Sequence, residues 1–365
     1  MKPWGLSRLD RYILFKFLGT YALFLSLIML IAIVFDISQK VDNFMSQGAD
    51  FEHIMGDYYV NFVAEYGTTF TGLIVFLSTI FFTGRMADRT EIAAILTSGV
   101  SFRRLLYPYF LGASLLFLGT AYLSHFVIPE TTGKRQDFED RFVKDEIEPS
   151  RPINIHRQIA PGHYVFVETW SPERLGGYHF TYEVMSDSKL TEKLTADFMR
   201  FDTIKRAWRL ENWNYRVING ASEQTLHQGR TLDTNFSFGP EIFSADARQT
   251  SRMNSPELLE FLQQERLSGS EAISKHLLVW HRRTAHPFAI FILVLIAVSV
   301  ATEKRRGGIG AKIAFGLLLV VAYIFVMQVS GTFISSPYIS PWLAAWIPNF
   351  LFAGLGMYLY LRAAK

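Results

Sequence analysis

The apolar residues of this chain are not scattered as a soluble core requires. They gather into runs long enough to cross about 30 Å of hydrocarbon as helices, which takes roughly 20 residues. Six such runs lie near Tyr12–Ile37, Tyr58–Thr83, Leu105–Ile128, Leu277–Thr302, Ala311–Ile334 and Pro341–Leu361. The first is too long for the apolar core of a signal peptide, and no small-x-small cleavage site follows it. It therefore reads as an uncleaved span.

Between the third and fourth runs the period changes to two. His163–Trp170, Gly177–Met185, Leu194–Phe201, Trp208–Val217 and Thr231–Phe238 alternate and are rich in Tyr, Phe, Trp, Val and Thr. Turn signals divide them, among them Arg174-Leu175-Gly176-Gly177, Ser186-Asp187-Ser188 and Asn219-Gly220. Such spacing predicts an antiparallel sandwich or jelly roll. A short amphipathic helix should follow, with Ser255 as cap, Pro256 in the first turn and Leu258, Leu259, Phe261 and Leu262 as its apolar face. The fold class is thus an α-helical membrane protein of six transmembrane helices with an inserted all-β, jellyroll-like domain. Residues 1–128 hold spans one to three, 129–254 the β-domain, 255–275 a connecting helix, and 276–365 spans four to six.

The net charge of +3 becomes informative once it is divided by region. Lys2, Arg8, Arg11, Lys16, Arg85, Arg89, Arg103, Arg104, Lys304, Arg305, Arg306, Lys312, Arg362 and Lys365 flank the spans on one side. Only Asp10, Asp88, Glu91 and Glu303 oppose them, which leaves +10 there. The other flank carries −3 and residues 129–275 carry −4. Cations beside spans mark the cytoplasmic side, so both termini are predicted cytoplasmic and the β-domain outside. The same separation removes nucleic acid as a partner.

Candidate chemistry is sparse. The chain has no cysteine, which excludes disulfides, thiolate zinc sites and a cysteine nucleophile. It has no G-x-x-x-x-G-K-[ST]; Gly307-Gly308-Ile309-Gly310-Ala311-Lys312 lacks the spacing and the hydroxyl and reads as a basic turn. H-E-x-x-H and G-x-S-x-G are also absent. His276, His281 and His286 are five apart, a rotation of about 140° per step on a helix, and do not converge as metal ligands. The expectation is a chain that is not an enzyme, with no metal and no cofactor of its own.

Two polar features inside the apolar pattern stand out. Glu65 lies in the second run, where an acid is costly unless it is wetted or paired. Either it faces headgroups or water, or it pairs with Lys40, Arg282 or Arg283 at similar height. Gln328 is a polar position in the fifth run. Between the second and third runs, Gly84–Ser101 places Ile92, Ile95, Leu96 and Gly99 on one helical face, with Arg85, Asp88, Arg89 and Glu91 in the first turns. That helix either lies flat on the membrane or docks a cytoplasmic partner.

Arg89-Thr90-Glu91-Ile92-Ala93-Ala94-Ile95-Leu96-Thr97-Ser98-Gly99-Val100-Ser101 resembles the R-x-E-[IL]-x-A-x-x-x-x-G-[VI]-[ST] helix of the LptF/LptG lipopolysaccharide-export permeases. Leu9-Asp10-Arg11-Tyr12-Ile13 is similar to that family's opening, and Lys205-Arg206-Ala207-Trp208-Arg209-Leu210 to a turn and strand of its β-jellyroll. His281-Arg282-Arg283-Thr284-Ala285-His286-Pro287, with Arg305-Arg306-Gly307-Gly308, is similar to its fourth span and next loop. The resemblance covers essentially the whole chain. It implies an ABC-transporter permease of the Gram-negative inner membrane that pairs as LptF with LptG. Its coupling helix, residues 85–99, would sit in a groove of the LptB ATPase dimer, with Glu91, Arg89, Arg85 and Asp88 as the coupling residues and ATP bound only by that partner. Lipopolysaccharide would enter between the first and fifth spans, and the jellyroll would pass it to LptC and the periplasmic bridge. An anionic amphiphile needs cations at headgroup height. Lys40 comes first, then Arg282 and Arg283, with Lys134, Arg135 and Arg141 after the third span. A solvated interfacial lysine is the alternative for Lys40. A membrane-anchored envelope sensor or assembly scaffold is the alternative for the whole chain.

Overall fold

The computed structural model describes residues 7–143, 153–186, 189–219, 222–243, 247–267, 273–302, 308–335 and 338–363. The chain divides into two compact units, Met1–Asp145 with Leu277–Lys365, and Glu146–His276.

The first unit holds α1 (Arg8–Ser46), α2 (Phe51–Thr69), α3 (Thr71–Asp88), α4 (Glu91–Thr97) and α5 (Phe102–Phe142). After the insert come α8 (Ile273–Thr302), α9 (Gly308–Thr332) and α10 (Pro341–Arg362). Among the described residues five helices are long and apolar enough to span a membrane, and α2 with α3, bent by 64° at their break, makes a candidate sixth span. The Ser7 hydroxyl accepts from Asp10 N while the Asp10 carboxylate accepts from Ser7 N, a capping box that fixes where α1 begins. The helix then runs past Ile37 to Ser46, 39 residues or about 58 Å, farther than hydrocarbon alone requires.

The bend in the second span has a specific partner. His286 Nε2 on α8 lies 2.9 Å from the carbonyl oxygen of Thr69, beside the break. Since a carbonyl only accepts, this nitrogen carries the proton and satisfies a group that broken helix geometry leaves open. The third span also differs from its apolar pattern. α5 continues past Ile128 through a π-type turn at Leu123–Val127 and ends at Phe142, beyond Pro129. Pro129 is tolerated in the first turn after that irregularity, and the i,i+4 pairs Glu130–Lys134 and Arg135–Glu139 support the polar extension.

Buried residues of α1, α3, α5 and α8 form one cluster, including Ile13, Phe17, Phe82, Tyr109 and Val294. A second joins α3, α8, α9 and α10 around Phe76, Ile80, Leu293, Tyr323 and Phe352. Asn349 ties the last three helices, donating to Ala285 O at 2.7 Å and accepting from the Tyr323 hydroxyl at 3.0 Å.

The second unit is a six-stranded antiparallel sheet in which chain neighbours pair throughout. Its strands are β1 (Ile153–Ala160), β2 (His163–Ser171), β3 (Gly176–Ser186), β4 (Lys189–Asp202), β5 (Ala207–Asn219) and β6 (Ser222–Thr234). The described strands form a meander; the crossovers of a jelly roll are not among their pairings. Four strands, β2 to β5, follow the expected alternation, whereas the expected strand Thr231–Phe238 overlaps only the last four residues of β6, which begins at Ser222. β1 did not stand out because Arg157 interrupts the Ile155 and Ile159 face, and its buried charge is met by Glu265 at 2.8 Å. Trp170, Phe180, Met199, Trp208 and Phe243 fill the core, and Trp208 Nε1 donates to Phe238 O at 2.9 Å. The turns at 187–188 and 220–221 lie outside the described residues. Two further helices follow, α6 (Ala247–Arg252) and α7 (Ser255–Leu267). Asn254, not Ser255, caps α7: its Oδ1 accepts from Glu257 N at 3.0 Å while Glu257 accepts from Asn254 N at 2.9 Å.

Candidate functional site

At the basic end of the bundle the expected single helix over 85–99 is two. Arg85 and Asp88 belong to the last turn of α3, Arg89 follows, and α4 starts at Glu91. The chain turns at Thr90, whose φ of +63° places a β-branched residue in the left-handed region. Gly99, at φ +90°, closes α4, and its N–H donates to Leu96 O at 3.1 Å. The apolar face of α4 does not lie open to a membrane. Ile92 is buried, and Ile95 and Leu96 pack against the same cluster as Met86 and Phe102. Its outward face is small and polar: Ala93, Ala94, Thr97 and Ser98 are all exposed. Glu91 accepts from the Tyr12 hydroxyl of α1 at 3.2 Å, and with Lys16, Arg85 and Arg89 it borders a cavity of about 200 Å³. Asp88 stands apart, 3.6 Å from Lys312.

At the opposite, acidic end the structure joins residues from three helices. Arg135 on α5 forks onto Glu65, Nε to Oε2 at 2.8 Å and Nη2 to Oε1 at 3.2 Å. Lys40, Arg282 and Arg283 are thus not the partners of Glu65. Arg135 also pairs with Glu139 at 2.8 Å. Glu139 in turn meets Lys40 at 3.0 Å, and Lys40 pairs with Asp36 at 2.9 Å. The Tyr58 hydroxyl bonds Lys40, and Tyr58 and Tyr59 both donate to Asp36 at 3.2 Å. Two cations therefore face three carboxylates, and the side chains are 9–22% exposed. Lys40 and Arg135 come together through Glu139, but neither offers an unoccupied charge.

Arg282 and Arg283 occupy α8. Arg282 Nη2 donates to Met327 O on α9 at 3.1 Å, and its guanidinium lies against Gly331, where a β-carbon would collide with it. Arg283 is buried. Gln328 is exposed and shares one face of α9 with Leu318, Val321 and Phe325. α1 carries a similar uncovered stripe, Leu23, Leu27, Leu30, Val34 and Val41.

The sequence pattern did not single out Asp36, Glu139 or Tyr58. Two signals were present: Asp36–Lys40 and Arg135–Glu139 are both i,i+4 pairs. The link between these pairs is tertiary and has no mark in local spacing.

Residues 11–362 match the family described as Lipopolysaccharide export system permease LptF/LptG. No curated protein matches the chain.

Proposed function

The chain belongs to the LptF/LptG family of lipopolysaccharide export permeases, and we propose that it is the spanning, non-hydrolytic subunit of an ABC transporter in the inner membrane of a Gram-negative bacterium. A separate cytoplasmic ATPase of the LptB kind binds the ATP and drives it. The basic end faces the cytoplasm, following the cation bias of the loops. The observation that carries this reading is α4. Its apolar side is anchored on the bundle by Ile92, Ile95 and Leu96, while Ala93, Ala94, Thr97 and Ser98 leave an outer face small enough to enter a groove closely. Glu91, held by Tyr12, supplies a placed negative charge at its start, flanked by Arg85 and Arg89.

The uncovered aliphatic stripes of α1 and α9 are the first and fifth spans. With a homologous second permease they would border a cavity for acyl chains, and Gln328 would face it. The β-unit would then receive the lipid and pass it to LptC and the periplasmic bridge. Net transport requires lipid affinity to differ between the nucleotide states, since a ligand shifts an equilibrium only by its differential affinity. The acidic-end cluster narrows the headgroup assignment. At Lys40 or Arg135 a phosphate would compete with Glu139, which bridges both, and with Asp36 or Glu65 respectively. Arg282, which donates to Met327 O, and Arg283, Lys134 and Arg141 are further headgroup cations of the proposal.

Co-purification of the full complex tests this reading. The ATPase should accompany the wild-type chain, and Glu91→Lys should reduce both its retention and export. Unchanged retention and export in that variant contradict the docking role.

A further inference from the structure

We propose that Lys312 is the positioning residue through which movement of α4 reaches the fifth span, α9. This deepens the ATPase-driven reading and rests on it.

Lys312 sits near the start of α9 with its side chain only 4% exposed. A cation that served only as a topology signal would need to reach the surface, and would not need burial. A buried ammonium persists where its charge is met. Two groups meet it, from two other helices. Nζ donates to Ala301 O at 2.9 Å, among the last carbonyls of α8, where the helix dipole is negative. It also lies 3.6 Å from Asp88 Oδ1, at the last residue of α3. One side chain therefore ties α3, α8 and α9 two residues before the chain turns at Thr90 into α4.

The packing around this pair is close. The Lys312 stem passes Gly84 of α3, where an added β-carbon would be 3.7 Å from its Cδ. One turn along α9, Gly316 faces Ile80 and Phe76 of α3, where a β-carbon would collide. Backbone-close packing of this kind does not let α3 slide along α9 freely. A displacement of α4 thus moves Asp88, and through Lys312 it moves the start of α9 and the end of α8. Asp88 is assigned to this link and not to the surface that meets the ATPase.

The test uses the full complex in proteoliposomes containing lipopolysaccharide and reads lipid exported per ATP hydrolysed. Lys312→Met should lower that ratio about tenfold while the ATPase still co-purifies, and Lys312→Arg should restore most of it. Asp88→Asn, at a partly exposed position, should lower the same ratio, and the double variant should be no worse than Lys312→Met alone. An unchanged ratio in Lys312→Met, or additive losses in the double variant, would overturn the assignment. Should Lys312→Met fail to fold, Asp88→Asn decides: an unchanged ratio overturns the link and a lowered ratio supports it. Failure of the ATPase to accompany even the wild-type chain would sink the broader functional reading instead.

Discussion

Arg135 and Glu65 form a two-point ion pair between the polar extension of the third span and the interior of the bent second span, at 2.8 and 3.2 Å. Their side chains are 9% and 19% exposed, and the Glu65 carboxylate depends on Arg135, which also holds Glu139. Removing Arg135 leaves the buried Glu65 charge unmet, at about 3–5 kcal/mol, whereas replacing both with neutral groups is far milder. Arg135→Met should lower the thermal midpoint of the detergent-solubilised protein clearly. Arg135→Met with Glu65→Gln should recover most of the loss. Equal losses in the single and double variants would show that the pair contributes nothing specific.

Glu139 competes with any anion for Lys40 and Arg135. Glu139→Gln should therefore raise lipopolysaccharide photocrosslinking beside Lys40 by roughly tenfold, about the effect of one displaced charge pair. The gain should vanish when Lys40→Met is added. An unchanged or lower yield in Glu139→Gln would place the headgroup elsewhere.

Thr90 pays for the corner between α3 and α4 with a left-handed backbone, which costs a β-branched residue about 1–2 kcal/mol. Thr90→Gly removes that strain and should stabilise the protein by about 1 kcal/mol at most. The same change loosens the angle between the helices, so export per ATP should fall. A variant that is both more stable and fully active would show that the corner transmits nothing.

In the β-unit, Asp202 and Asp233 are held below the ordinary carboxylate range. Backbone N–H groups of Lys205 and Ile204 do this for Asp202, and the Arg209 guanidinium does it for Asp233. With folded values below the unfolded value of about 3.9, their contribution is present above that pH and is lost as pH falls through the lower folded values. Carbon-13 titration of the labelled chain should give both midpoints below about 3.9. Midpoints at or above that value would contradict these contacts.

The spans were legible because 20-residue apolar runs have few other uses, and β2 to β5 because aromatic and branched residues alternate along them, whereas most of β6 is polar. What stayed hidden was tertiary or locally atypical. The continuation of α5 to Phe142 leaves the apolar pattern and depends on i,i+4 ion pairs. β1 hides behind Arg157, whose inward charge makes sense only once Glu265 is beside it. The spacing of His286 gives it no partner, and the break after Thr69 supplies its acceptor only in the folded bundle. Arg85, Asp88, Arg89 and Glu91 read as the first turns of one helix, yet Thr90 divides them, sending Asp88 toward Lys312 and Glu91 toward Tyr12.

The central claim is that α4 is the surface on which a cytoplasmic ATPase acts. Because the chain has no cysteine, Ala94→Cys carries a single photoactivatable label on the exposed face of that helix. Ile204→Cys, at the 94% exposed turn of the β-unit, serves as control. Irradiation in membranes that contain the ATPase should give an adduct between Ala94→Cys and the ATPase, and none from Ile204→Cys. An active complex that yields no adduct from Ala94→Cys, or as much from Ile204→Cys, would contradict the account.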